Sequence, residues 1–192
     1  MNQLAEDEAL TWSKVTTSFL AICIIALSWY VLFRFNEMFF ATIGFSKHIS
    51  WIFLPAAIRM LSVMVFEWVG AIGLFIGALI TSDFLLDDYL STALVLASLS
   101  ALGPVLAVAI CSKWLCLPRS LSGLGRRQIC LFALMGAIFN VIPHNIYLYF
   151  AGHLSSPFMG LLPMLIGDLV GTAIVIYVAS VILKLCLSPR RN

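Results

Sequence analysis

The sequence predicts an all-α polytopic membrane protein: one domain, a bundle of about six transmembrane helices. Of its 192 residues, 62% are hydrophobic and only 10% are charged, whereas soluble domains carry about 25% charged residues. Apolar runs long enough to cross a bilayer recur along the chain. The net charge is +2, with no long basic run, so nucleic acid is not an expected partner. The expected partner is the lipid bilayer.

Six apolar runs are predicted as spans, at 15–33, 49–66, 68–81, 90–112, 128–150 and 158–183. Residues 1–14 form an acidic tail before the first run. A secretory signal would begin with basic residues and have a shorter apolar core. We therefore interpret 15–33 as a retained span, with Trp29 and Tyr30 near a membrane interface.

The second and third spans are predicted as a hairpin with a tight turn around Glu67 to Gly70. The arm 68–81 is short for a full crossing of about 30 Å. Gly73 and Gly77 are four residues apart and therefore share one helix face. Small residues on one face allow a neighbouring helix to approach closely, so this pair is a predicted packing site.

The fourth and fifth spans each contain a proline. Gly103-Pro104 predicts a kink in the fourth. In the fifth, Pro143 has no N–H to donate to the carbonyl group of Phe139. A polar helix face beside such a break can line a cavity.

Lysine and arginine are distributed unequally between the predicted loops. The termini and the segment 113–127 hold eight basic residues, whereas the opposite side holds only Arg34 and Lys47. The positive-inside rule places both termini, 1–14 and 184–192, in the cytoplasm. The predicted location is a bacterial inner membrane.

The final span contains an acid, Asp168, between Gly167 and Gly171. A carboxylate in hydrocarbon costs about 2.5–3.5 kcal/mol on insertion scales, so Asp168 must face protein, water or a cation. The two glycines share a face and predict close packing against another helix of the chain.

Five polar residues within spans form the candidate ligand-binding set: Asp168, Arg59, Asn140, His144 and Asn145. Arg59 and Asp168 are expected on facing helices, paired or sharing a polar cavity. Such a pair can be purely structural, line a site for a polar ligand, or do both. The polar cluster in the fifth span can equally line a cavity or join helices by hydrogen bonds.

No signature of an enzyme is found in the sequence. It lacks Gly-x-Ser-x-Gly, His-Glu-x-x-His and a phosphate loop. Its five cysteines form no Cys-x-x-Cys pair and are expected to be small buried hydrophobes. We therefore expect no catalytic residues, no metal and no cofactor.

Three motifs occur in a fixed order: Trp51-Ile-Phe-Leu-Pro-Ala-Ala, then Gly-Leu-Phe-Ile-Gly-Ala at 73–78, then Ile166-Gly-Asp-Leu-Val-Gly-Thr172. This order resembles the integral membrane sensor domain of the first membrane-associated sensor class. That family is thought to resemble the substrate-binding subunits of energy-coupling-factor transporters. The resemblance implies a sensor domain, which in that family usually precedes a histidine kinase or diguanylate cyclase.

Three functions remain open from the sequence. The first is a sensor-like module that binds a small molecule, has no output domain of its own and signals through a separate membrane or cytoplasmic partner. The second is the substrate-binding subunit of a vitamin-type transporter. The third is a non-catalytic structural subunit of a larger membrane complex.

Overall fold

The computed structural model describes residues 2–46, 49–82, 90–114 and 125–187. In these ranges, five helices are long and apolar enough to span a membrane. They are α1 (Asn2–Phe40), α2 (Ala56–Ile80), α3 (Leu90–Trp114), α4 (Arg126–Phe150) and α5 (Leu161–Leu187). The protein is therefore a helical, multi-pass membrane protein. The predicted count of six is not confirmed, and the difference arises at α2, which contains most of two predicted spans.

Helix α2 is broken at Glu67, the position of the predicted turn. Glu67 has φ 49° and ψ −125°, outside the helical region. A Cβ atom on Gly70 would overlap the backbone carbonyl of Ser62, although residues eight apart in a straight helix are about 12 Å apart. The chain therefore reverses at Glu67. The arms 56–66 and 68–80 are about 16 and 20 Å long, shorter than the hydrocarbon core.

A non-helical segment leads into α2. After a short 3₁₀ turn (Ala41–Ile43), strands β1 (Gly44–Ser46) and β2 (Ile49–Ser50) pair antiparallel. The Phe53 N–H then donates to the carbonyl oxygen of Gly167 in α5, at 3.0 Å. The Leu54 N–H donates to Oδ1 of Asn36 in α1, also at 3.0 Å. Non-helical backbone at membrane depth requires such partners.

The glycine pair of α5 packs against this segment. A Cβ on Gly167 would overlap the carbonyl oxygen of Ser50, and one on Gly171 that of Phe53. The close approach predicted for these glycines exists, but the partner is not a helix. It is the non-helical stretch 50–55 that leads into α2, called the entry segment below. The glycine spacing predicts a helix face without side chains, but it does not specify which part of the chain packs against that face.

The other glycine pair packs against a helix. Gly73 meets the side chain of Ile25, and Gly77 that of Trp29, both in α1. Trp29 is only 2% exposed, and its Nε1–H donates to Oγ1 of Thr81 at 3.0 Å. Trp29 is thus buried within the protein, because a hydrogen-bond partner and a glycine face accommodate the indole. Its position near a membrane interface stays a prediction.

Helices α3 and α4 meet beside the proline of α4. A Cβ on Gly103 would lie 3.0 Å from the carbonyl oxygen of Phe139. That carbonyl has no intrahelical donor because its partner position is occupied by Pro143. The two helices therefore approach each other closely at Phe139, the residue before Asn140.

Candidate functional site

A cavity of about 540 Å³ lies between the helices. Its lining residues come from the C-terminal parts of α1, α2 and α4 and from the N-terminal parts of α3 and α5. The cavity therefore lies at that end of the bundle. One wall is aromatic, formed by Trp29, Phe33 and Phe53, and the polar lining includes Arg59, Ser100, His144 and Asp168. Its volume is within the range of small-molecule sites.

Arg59 and Asp168 form a direct ion pair at this cavity. The Arg59 Nη1 atom lies 2.7 Å from Oδ2 of Asp168. Both side chains are buried, 7% and 5% exposed. The Nδ2 group of Asn140 donates to the same carboxylate oxygen at 2.8 Å. The expectation that Arg59 and Asp168 pair across the bundle is thus confirmed, and the pair joins the first arm of α2 to α5.

Aromatic rings enclose the guanidinium group. The Cζ atom of Arg59 lies 5.0 Å from the ring centroid of Phe53 and 5.6 Å from that of Trp29. Phe53 contacts Trp29 edge-on, with ring centroids 5.9 Å apart. Cation–π contact is stronger where water is excluded. The rings therefore add to the carboxylate in holding the buried cation.

His144 uses both ring nitrogens within the protein. Its Nδ1 atom lies 2.7 Å from the backbone carbonyl oxygen of Asn140, which can only accept, so Nδ1 carries a proton. Its Nε2 atom lies 3.3 Å from Oγ of Ser100 and can accept from that hydroxyl. No cluster of three or more metal-ligating side chains occurs in the part of the chain that the structure describes.

Asn140 and Asn145 are not among the residues that line the cavity. Both are fully buried. Asn145 donates through Nδ2 to the carbonyl oxygen of Val141 and contacts the sulfur of Met164, each at 3.0 Å. The predicted polar cluster of α4 therefore divides. His144 faces the cavity, Asn140 positions Asp168, and Asn145 joins α4 to α5.

Some buried polar atoms of the ion pair and of the α4 asparagines form no hydrogen bond with the described residues. Three buried polar atoms have no partner among the described residues: Arg59 Nε, Asn140 Oδ1 and Asn145 Oδ1. Most buried polar atoms in folded proteins are paired. Two of the three belong to the ion pair and its hydrogen-bond partner, since Arg59 is a member of the pair and Asn140 donates to the carboxylate of Asp168.

Comparison of the chain with protein-family models, with curated proteins and with solved structures gives no match. The sensor-class resemblance of the three motifs remains an expectation.

Three residues at the site were not predicted from sequence. Asn36 fixes the backbone of Leu54, Ser100 contacts His144, and Trp29 forms part of the wall. Asn36 lies just beyond the first predicted span, 15–33, in a stretch that α1 in fact includes. Ser100 is one of several small residues in its span, and nothing in the sequence distinguishes it.

Proposed function

We propose that this protein is a sensor-like module of a bacterial inner membrane that binds a small molecule between its helices. The observation that carries the proposal is the 540 Å³ cavity with the Arg59–Asp168 ion pair in its lining. An apolar cavity with a few convergent polar groups is the usual form of a small-molecule site.

The broken second span supports a binding role over a purely structural one. Residues 51–55 are not helical, and their backbone lies against Gly167 and Gly171 beside Asp168. Discontinuous spans at membrane depth occur where backbone lines a cavity or a binding site. A subunit that only packs against neighbours would have no need of such a break.

The side on which the cavity opens follows from charge. Its rim includes residues of the segments 34–50 and 151–157, and the distribution of basic residues assigns both to the outside. The reversal at Glu67 supports an arrangement with both termini on one side, whether or not each arm crosses completely. We therefore propose an outward-facing cavity and cytoplasmic termini.

A separate partner protein is part of the proposal. Residues 176–187 of α5 are all exposed in the isolated chain, which leaves this half-helix available to lipid or to another subunit. A kinase or cyclase partner would make the protein a sensor. An ATPase-containing partner would instead make it a transporter subunit with the same cavity. Pulldown in mild detergent followed by mass spectrometry distinguishes the two.

Thermal unfolding in nanodiscs tests the binding proposal. The small-molecule fraction of the host cell should raise the unfolding midpoint, because a ligand at 100 times its Kd adds about 2.7 kcal/mol of stability. Ala93→Phe, at a position that lines the cavity, should abolish the increase. Ala109→Phe, at an exposed position of the same helix, should preserve it. No increase for the unmodified protein would contradict the proposal.

A further inference from the structure

Among the residues that the structure describes, the charged side chains in the cavity lining and at its rim form pairs of opposite charge. Arg59 and Asp168 lie 2.7 Å apart in its lining. At the rim, Glu37 accepts a hydrogen bond from Arg34, also at 2.7 Å. The two hydrogen-bond contacts of His144 are to uncharged groups, a backbone carbonyl and a hydroxyl, and His153 lies at the exposed rim. Among the described residues of the deep lining, the formal charges of Arg59 and Asp168 therefore offset each other.

We infer, on the basis of the proposed binding function, that the ligand is an uncharged planar aromatic molecule with an amide-like edge. A charged ligand would lose its hydration shell on entering a cavity of this kind. Its attraction to one member of the ion pair would be offset by repulsion from the other, 2.7 Å away. Net charge on the ligand therefore works against binding here.

An amide-like edge suits the ion pair because it has a donor and an acceptor side by side. The guanidinium of Arg59 can only donate, and the carboxylate of Asp168 accepts. An uncharged group with an acceptor and a donor can therefore bind Arg59 and Asp168 at the same time without separating them. Hydrogen bonds to charged groups are also roughly twice as strong as those between neutral groups.

A planar ring suits the wall. Phe53 contacts Trp29 and Phe33 edge-on, with centroid distances of 5.9 and 6.5 Å. Edge-to-face and offset stacking are the favoured arrangements of aromatic pairs. A further flat ring can join this set, and the cavity volume is sufficient for two fused rings.

Three probes that share a naphthalene ring test the inference: 2-naphthamide is uncharged, 2-naphthoate is an anion, and 2-naphthylmethylammonium is a cation. Binding is measured by equilibrium dialysis with the full chain in nanodiscs, and empty nanodiscs give the correction for partition into lipid. We expect the amide to bind at least tenfold more tightly than either ion.

Charge-changing variants make the test specific to this ion pair. Asp168→Asn should shift the preference toward naphthoate, and Arg59→Gln should shift it toward the ammonium probe. Either single variant leaves an unpaired buried charge and can fail to fold. The double variant Arg59→Gln/Asp168→Asn leaves no such charge, so it still tests the inference if a single variant misfolds. It should bind the amide at least tenfold more weakly than the unmodified protein.

The outcomes separate this inference from the proposed function. Tighter binding of either ion to the unmodified protein would overturn the ligand class and leave a small-molecule site in place. Failure of all three probes, with stabilisation by the cell extract intact, would also overturn the ligand class alone. Failure of both experiments would overturn the proposed function as well.

Discussion

The guanidinium group of Arg59 lies 2.7 Å from the carboxylate of Asp168, although 109 residues separate them in the chain. Arg59 belongs to the first arm of the broken helix α2, and Asp168 to α5. The pair therefore connects the discontinuous span to the helix on which that span lies. Every function proposed above depends on this connection.

The ion pair should show strong coupling in a double-mutant cycle. Arg59→Gln or Asp168→Asn alone strands a buried charge and is expected to cost about 3–5 kcal/mol. The double variant strands no charge and should therefore cost less than either single variant, so the cycle should be strongly non-additive. Unfolding in detergent measures all four proteins.

The exposed pair Arg34–Glu37 is the matched control for that cycle. Its atoms are also 2.7 Å apart, but its side chains are 58% and 46% exposed. Exposed pairs contribute little to stability, so the corresponding cycle should be additive. Additive behaviour of Arg59 and Asp168 as well would show that their contact is not energetically important.

The close packing of α5 on the entry segment should depend on Gly171. In Gly171→Ala, the added Cβ meets the carbonyl oxygen of Phe53, so the segment must shift and stability should fall by about 1–3 kcal/mol. Ala173→Leu, on an exposed face of the same helix, should be tolerated. Thermal unfolding measures both, and equal tolerance would mean that the segment does not lie on this face.

The turn of α2 should be relieved by glycine at position 67. Glu67 has a positive φ of 49°, a conformation that costs a residue with a side chain about 1–3 kcal/mol. Glu67→Gly should therefore raise the free energy of unfolding by about 1 kcal/mol. Glu67→Ala removes the same charge but keeps the Cβ, and should give no gain. A gain for both variants would implicate the charge instead.

The topology can be read with reporter fusions. Fusions at positions 86 and 154 should report an outside location, and a fusion at 122 an inside location, because basic residues concentrate in 113–127 and at the termini. An outside signal at 122 would contradict the proposed orientation, and with it the outward-facing cavity.

The ion pair could be predicted from sequence because charge is expensive in hydrocarbon. Arg59 and Asp168 are the clearest opposite charges within the apolar runs, so each was expected to need the other. The position of Asn145 could not be predicted in this way. An amide can satisfy itself against a neighbouring helix or face a cavity, and its sequence neighbours are the same in both cases.

Backbone partners were harder to predict than side-chain partners. Gly167 and Gly171 indicated a close approach, but the entry segment that meets them is held by Asn36, which lies outside the predicted spans. The burial of Trp29 within the protein could not be predicted for a related reason. Its hydrogen-bond partner Thr81 lies 52 residues away in the sequence.

Native mass spectrometry of the purified protein tests the central claim, that the ion pair lines a small-molecule site. The unmodified protein, released from nanodiscs after incubation with the small-molecule fraction of host cells, should have a bound species of defined mass. The folded double variant Arg59→Gln/Asp168→Asn should lose most of that species, because it lacks both charged partners. An equal amount bound to both proteins, or none bound to the unmodified protein, would contradict the account.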